Sequence, residues 1–228
     1  MGDVIRMPPR GRYFAQEVGQ LAGVSGGTIG QWAHYGYIRA SQSEPGGYPR
    51  VYSFQDAAEA ILVHELLDKG VPPKVLRPVI EGLRVTRGDW PLQSSDLEAL
   101  SAEALSDDVV PLASLLVKEG DLRLELGPHG WQVVEHTTVS PQRVVADLRR
   151  GGWAVRKLPE LRHVTVDPDL LSGRPTITGR RVPVSLVAEL AADEDGPSIL
   201  RDEYDLSQEE IDDAVSWWDE SSKYEPAA

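Results

Sequence analysis

The chain has 228 residues and no cysteine, which excludes a disulfide framework, a thiolate metal site and a cysteine nucleophile. Its net charge of −13 is unevenly spread: residues 1–90 carry ten Lys/Arg against nine Asp/Glu, residues 91–165 eight against eleven, and residues 166–228 five against sixteen. A near-neutral head and a strongly acidic tail point to different partners at the two ends, and the acidic end repels nucleic acid. No apolar run approaches the ~20 residues of a membrane span. The basic N-terminus, MGDVIRMPPRGRY, lacks the apolar stretch of a secretory signal. The histidines (His34, His64, His129, His136 and His163) show no metal-binding spacing. These features predict a cytoplasmic protein with no membrane, metal or cofactor.

In chain order, YFAQEVGQLAGVSGGTIGQWAHYGYIRA reads as two short helices. Val18 and Leu21 share one face of the first, Gly23-Val24 makes the turn, and Ser25 caps the second. Ile29 and Trp32 face inward and Gly36 stands near the end. This is helix-turn-helix spacing, in which the second helix enters a major groove. SQSEPGGYPRVYSF suits a two-stranded wing. Ser53, with Asp56 three residues on, caps a helix carrying Ala58, Ile61, Leu62 and Leu66. Pro72-Pro73 starts another, which Pro78 should kink or bound.

These residues resemble the winged helix-turn-helix of the MerR superfamily over about residues 12–84. The Leu21-Ala22-Gly23-Val24-Ser25 turn, the Arg50-x-Tyr52 of the wing and the L-x-x-x-G-V-P end of the following helix carry the likeness. The resemblance implies DNA contacts from Gly27, Thr28, Gln31, His34 and Tyr35 on the second helix, Arg39 after it, and Arg50 and Tyr52 in the wing. The family often has Arg or Lys where this chain has Gly30 and Gln31. Phosphate contacts supply most DNA affinity, so a single copy should bind weakly. Homodimerisation, through the Pro72–Arg84 helix or the tail, or the arm residues Arg6, Arg10 and Arg12, would have to help.

Residues 85–110 read as a polar linker, with one short helix near Leu97–Leu105. LRLELGPHGWQVVE alternates Leu122, Leu124 and Leu126 with Trp131 and Val133 across a Gly-Pro-His-Gly turn, which predicts a hairpin. Ser140-Pro141 starts a helix through Arg149, Gly151-Gly152 ends it, and Trp153 and Val155 suggest a strand. Arg149, Arg150, Arg156 and Lys157 cluster at that helix end.

SGRPTITGRRVPV opens the tail. Gly173 and Gly179 are five residues apart and Arg180-Arg181 follows, so a Walker phosphate loop does not fit. The glycines suit positive φ at the ends of a short hairpin around Thr176-Ile177-Thr178. Pro183 then starts a helix, GPSILRDEY gives a second, and Ser207 with Glu210 caps a third bearing Ile211, Ala214, Val215 and Trp218. Gly173, Pro175, Ile177, Gly179, Arg181, Pro183 and Val184 stand in register with the G-x-P-x-I-x-G-x-R-x-P-V run of domain of unknown function 433, which the chain resembles over about 164–220.

That family is similar to antitoxins of type II pairs whose toxins resemble PIN-domain ribonucleases. A MerR-like head joined to such a tail resembles the VapB-type antitoxins. The resemblance implies a non-enzyme with three parts. Residues 1–84 form the DNA-binding domain, 85–163 a linker with a small α+β element, and 164–228 the toxin-binding or dimerising domain. The expected fold is mainly α with small β elements: a winged helix-turn-helix, a middle hairpin and helix, and a three-helix homeodomain-like end behind a short hairpin. Implied toxin contacts are Glu209, Asp212, Asp213, Trp217, Asp219, Glu220 and Tyr224. Two other readings stand beside this one. One is a MerR-like regulator without a toxin. The other is a hydrolase on Asp167 and Asp169, with Arg180 and Arg181 bracing the fold or pairing with these acids.

Overall fold

The computed structural model describes residues 9–46, 48–68, 73–93, 115–118, 121–124 and 139–224. Among these, eight α-helices and two small antiparallel pairs of strands make an α+β architecture. The head contains α1 (Ala15–Ala22), α2 (Gly26–Tyr35), α3 (Phe54–Asp68) and α4 (Pro73–Arg87). A hairpin pairs β1 (Leu115–Lys118) with β2 (Asp121–Leu124), and α5 (Pro141–Arg149) follows. In the tail, β3 (Val164–Thr165) pairs with β4 (Thr176–Ile177), ahead of α6 (Val184–Ala191), α7 (Gly196–Asp202) and α8 (Gln208–Ser222).

The helix starts follow from their caps. Ser25 Oγ accepts the Thr28 N–H at 3.1 Å. Ser53 and Asp56 satisfy each other's backbone N–H groups at 2.8 and 3.1 Å, and Ser207 and Glu210 do the same at 2.8 and 3.2 Å. Asp56 also accepts from Ser41 N–H, Ser41 Oγ and Trp90 Nε1, so one buried carboxylate ties α3 to the wing base and to the segment after α4. Glu59 accepts the Leu92 N–H at 2.9 Å, and burial pushes its carboxyl up to about 7.

Several expectations are corrected. Residues 85–93 are not linker: α4 runs to Arg87, and a 3₁₀ turn at Pro91–Gln93 buries Leu92 against α3. The rest of the expected linker, with its helix near Leu97–Leu105, and the Gly127–Gly130 turn lie outside the described residues, and the described partner of β2 is β1. Pro78 sits inside a continuous α4. The wing forms no ladder among the described residues. Gln42 N–H reaches Val51 O at 3.2 Å and Tyr13 bridges Tyr52, while Pro45 and Pro49 have no N–H to offer. Gly152–Arg156 is a 3₁₀ turn rather than a strand, and it is buried over Gly152–Val155. The Thr176-Ile177 strand pairs backward with β3, although Gly173 and Gly179 take positive φ as expected. On α8 the inward residues are Ile211, Ala214, Trp217 and Ser221, so Trp217 rather than Trp218 is fully buried.

Head, middle and tail share one apolar core. The Gly151-Gly152 turn is the wedge between them. Gly152 has φ +75°, and a Cβ there would overlap the Leu21 carbonyl oxygen of α1. On the other side the Trp217 indole packs on Gly151, with Nε1 donating to Gly151 O at 2.7 Å. Trp153 then covers Gly23 and stacks on His64 of α3 with centroids 4.0 Å apart. Burial holds His64 below its ordinary value. Arg156 lies over Trp153 at 4.4 Å and reaches Glu65 at 2.8 Å. Arg149 lies over Phe54 at 5.3 Å and Arg150 donates to Leu161 O at 3.2 Å, so the middle basic cluster braces the core.

Gly152→Ala must therefore pay for a left-handed backbone and a backbone clash together. We expect a loss of roughly 2–4 kcal/mol, with head and tail unfolding in one lowered transition by calorimetry. Unchanged stability would contradict the wedge.

Candidate nucleic-acid interface

α2 presents two faces. Ile29 and Trp32 are buried, while Gly27, Gln31, His34 and Tyr35 are exposed. The spacing 27, 31, 34 follows the helical repeat, so these residues line one outward stripe. His34 and Tyr35 meet edge to face at 5.0 Å, and Tyr35 is 52% exposed. Thr28 is half-buried and its hydroxyl shares a hydrogen bond with Ser25 Oγ at 2.9 Å, so it serves the cap as well.

The wing lies beside this stripe. Arg50 Nη1 donates to Gly30 O at 2.8 Å, which pins the wing to α2. An open groove of about 730 Å³ runs between Gly26 and Gly30 on the helix and Tyr48 to Arg50 on the wing. Tyr48 is 95% exposed at the wing tip and was missed from the sequence; its signal was its place in the Gly/Pro-rich turn. Tyr52 is a correction. It is fully buried against Tyr13, and burial raises its hydroxyl above the ordinary tyrosine range. It supports the groove from below and offers no outward surface to a duplex.

Positive charge on this face is thin. Arg39 is exposed but paired with Asp89, and Arg10 is paired with Asp169 at 2.7 Å. Arg12 is exposed, and Arg6 lies outside the described residues. Arg84 is turned inward to Gly36 O and Tyr37 O.

In the tail, Glu209, Asp212 and Asp219 form an exposed stripe on α8. Three other expected contacts are spent internally. Asp213 Oδ2 accepts from Arg162 N–H, His163 N–H and His163 Nδ1, each at 2.9 Å. Trp217 is in the core, and Glu220 pairs with Lys223. Tyr224 is half-buried over Glu220. Further exposed acids stand at Asp193, Glu194, Asp195, Asp202, Glu203 and Asp205, on both sides of α7, where sequence reading named none. Arg180 joins Glu210 at 3.0 Å and Asp205 at 3.6 Å, not Asp167 or Asp169. Arg181 is exposed, while Ile177 is buried and Pro175 and Pro183 are half-buried in the turn that sets up α6. Among the described residues, no group of three or more His, Asp or Glu side chains is placed to hold a metal ion. No described helix is long and apolar enough to cross a membrane.

Residues 13–83 match the model of the MerR HTH family regulatory proteins, and residues 164–217 match a protein family of unknown function, DUF433. The chain thus carries a MerR-type helix-turn-helix domain at its N-terminal end and a DUF433 domain at its C-terminal end, and the former suggests a DNA-binding regulator. No curated protein matches the chain. Among solved structures, a crystal structure of Rv2018 from Mycobacterium tuberculosis is similar in fold, with a TM-score of 0.54 and 22% identity, over 90% of this chain and 96% of that one.

Nothing lies within 4 Å of a Cβ built on Gly30, so a side chain fits there while Arg50 keeps its backbone acceptor. We expect Gly30→Lys to tighten binding to a generic duplex and to steepen the log K against log salt slope by about 1. The helix should gain up to roughly 1 kcal/mol. Fluorescence anisotropy across a salt series checks both the affinity and the slope; an unchanged slope would place the duplex elsewhere.

Proposed function

We propose that the chain is the antitoxin of a type II toxin–antitoxin pair, acting in the cytoplasm. Its head binds the promoter of its own operon through α2 and the wing. Its acidic tail binds and inhibits a PIN-like ribonuclease toxin. The observation that carries this reading is the charge division along one folded chain: a helix-turn-helix head near neutrality and a tail with five basic residues against sixteen acidic ones. An RNA-cleaving partner needs a basic channel, and a surface bearing Glu209, Asp212 and Asp219 with the acids around α7 complements it. The same surface is repelled by phosphates, which leaves DNA to the head.

The thin positive charge on α2 motivates a dimer. Two copies on a two-fold operator double the phosphate contacts that one copy lacks. A second reading, a MerR-like regulator without a toxin, is favoured by the internal use of Asp213, Trp217 and Glu220. In that reading the tail serves the fold and the dimer.

The test is a tagged pull-down of the full chain from its host, with RNase treatment and mass identification. The antitoxin reading predicts a small basic PIN-like protein that is lost when Glu209, Asp212 and Asp219 are changed together to Lys. These exposed residues can be altered without breaking the core. Recovery of the chain alone supports the regulator reading and overturns the first.

A further inference from the structure

α2 carries no lysine or arginine: its ten residues are GGTIGQWAHY. Arg39, which follows it, pairs with Asp89, and Arg50 of the wing donates to Gly30 O. Phosphate contacts supply affinity without sequence information, whereas base edges supply specificity. A helix of this composition has little to offer phosphates. Its selectivity has to come from the bases.

The glycines of α2 are a second observation. Glycine is the weakest helix former after proline, and neither Gly27 nor Gly30 is demanded by the fold. Neither takes a left-handed φ. A Cβ on Gly30 would meet nothing within 4 Å, and one on Gly27 only Ser25 Oγ at an ordinary 3.6 Å. Gly26 differs, since a Cβ there would press on Gln16. Glycine also serves where a backbone comes close to a ligand, and Gly27 lies on the outward stripe. Gly30 faces the wing groove instead. Third, Gln31 is exposed one turn further along that stripe, and its amide has no hydrogen-bond partner among the described residues. A helical side chain leans over the turn that precedes it, so Gln31 leans over the bare Gly27. That is the N-terminal half of the helix, from which recognition helices touch bases.

We propose that Gln31 reads an adenine in the major groove, its amide oxygen accepting from the base N6 and its amide nitrogen donating to N7, while the bare Gly27 lets the helix come close enough for that pair to form. The inference rests on α2 entering a duplex, as proposed for the head. A glutamine amide presents one donor and one acceptor side by side, which matches the adenine edge. Guanine shows two acceptors there, cytosine a lone donor, and thymine an acceptor beside a methyl group. Each of these leaves one end of the amide unmatched.

The test is selection of duplexes from a randomised pool by the full chain at low salt, followed by sequencing and by anisotropy on the enriched duplexes. The parent should enrich a motif with a fixed adenine, and any other base there should weaken binding by at least about fivefold. Gln31→Arg should move the preference at that one position to guanine and leave the rest of the motif in place. Gln31→Ala should lose the preference there with Tm unchanged. Gly27→Leu should lose the selected duplex while the free variant melts no lower, since leucine is the better helix former. The inference is overturned, with DNA binding by the head left standing, if Gln31→Arg selects the parent's motif or if Gly27→Leu binds it as tightly as the parent. A parent that binds duplex without enriching any motif overturns it too. A parent that binds no duplex at low salt overturns this inference and the DNA-binding head together.

Discussion

The structure turns on one close approach: two glycines, Gly151 and Gly152, held between the backbone of α1 and the indole of Trp217. A Cβ at Gly152 would meet the Leu21 carbonyl oxygen, so only glycine lets the middle of the chain reach the head. Trp217 closes the other side with a hydrogen bond to Gly151 O. Around this wedge, His64 and Arg156 both pack on the Trp153 ring, and Arg156 is fixed by Glu65. A second seam runs through the Pro9–Phe14 strap. Arg12 N–H donates to Ser172 O, Tyr13 pairs with Tyr52, and Arg10 joins Asp169. The MerR-type head and the DUF433 tail are therefore not beads on a linker.

That union reaches the helix-turn-helix itself. α8 of the tail packs on α1, and α2 packs on α1 as well. α8 and the Gly152–Arg156 turn thus reach, through α1, the helix that carries Gly27, Gln31 and His34.

Much of this was legible in the sequence where short-range chemistry decides. Ser25, Ser53 with Asp56, Ser140-Pro141 and Ser207 with Glu210 each announced a helix start, and each is one. The inward Ile29 and Trp32 of α2 followed from its period, and its outward residues from the likeness to the MerR superfamily. What failed depended on distant partners. Tyr52 in the wing motif carries no sign of its depth, which Tyr13 decides from 39 positions away in the chain. Adjacent Trp217 and Trp218 fit the helical period almost equally well, and the Gly151 carbonyl selects between them. Asp213 looked like one more surface acid, yet it caps backbone at Arg162 and His163. The glycine pair was read as a helix end, whereas its tertiary contacts with Leu21 and Trp217 give it a larger role.

The most direct test of the shared core is native-state hydrogen exchange on the full chain in rising denaturant. One cooperative unit predicts that the most protected amides of α1 and α3 and those of α6 and α8 converge on the same opening free energy. Amides of α6 and α8 that open at a clearly lower free energy, while α1 and α3 stay protected, would show an independently folding tail and contradict the account.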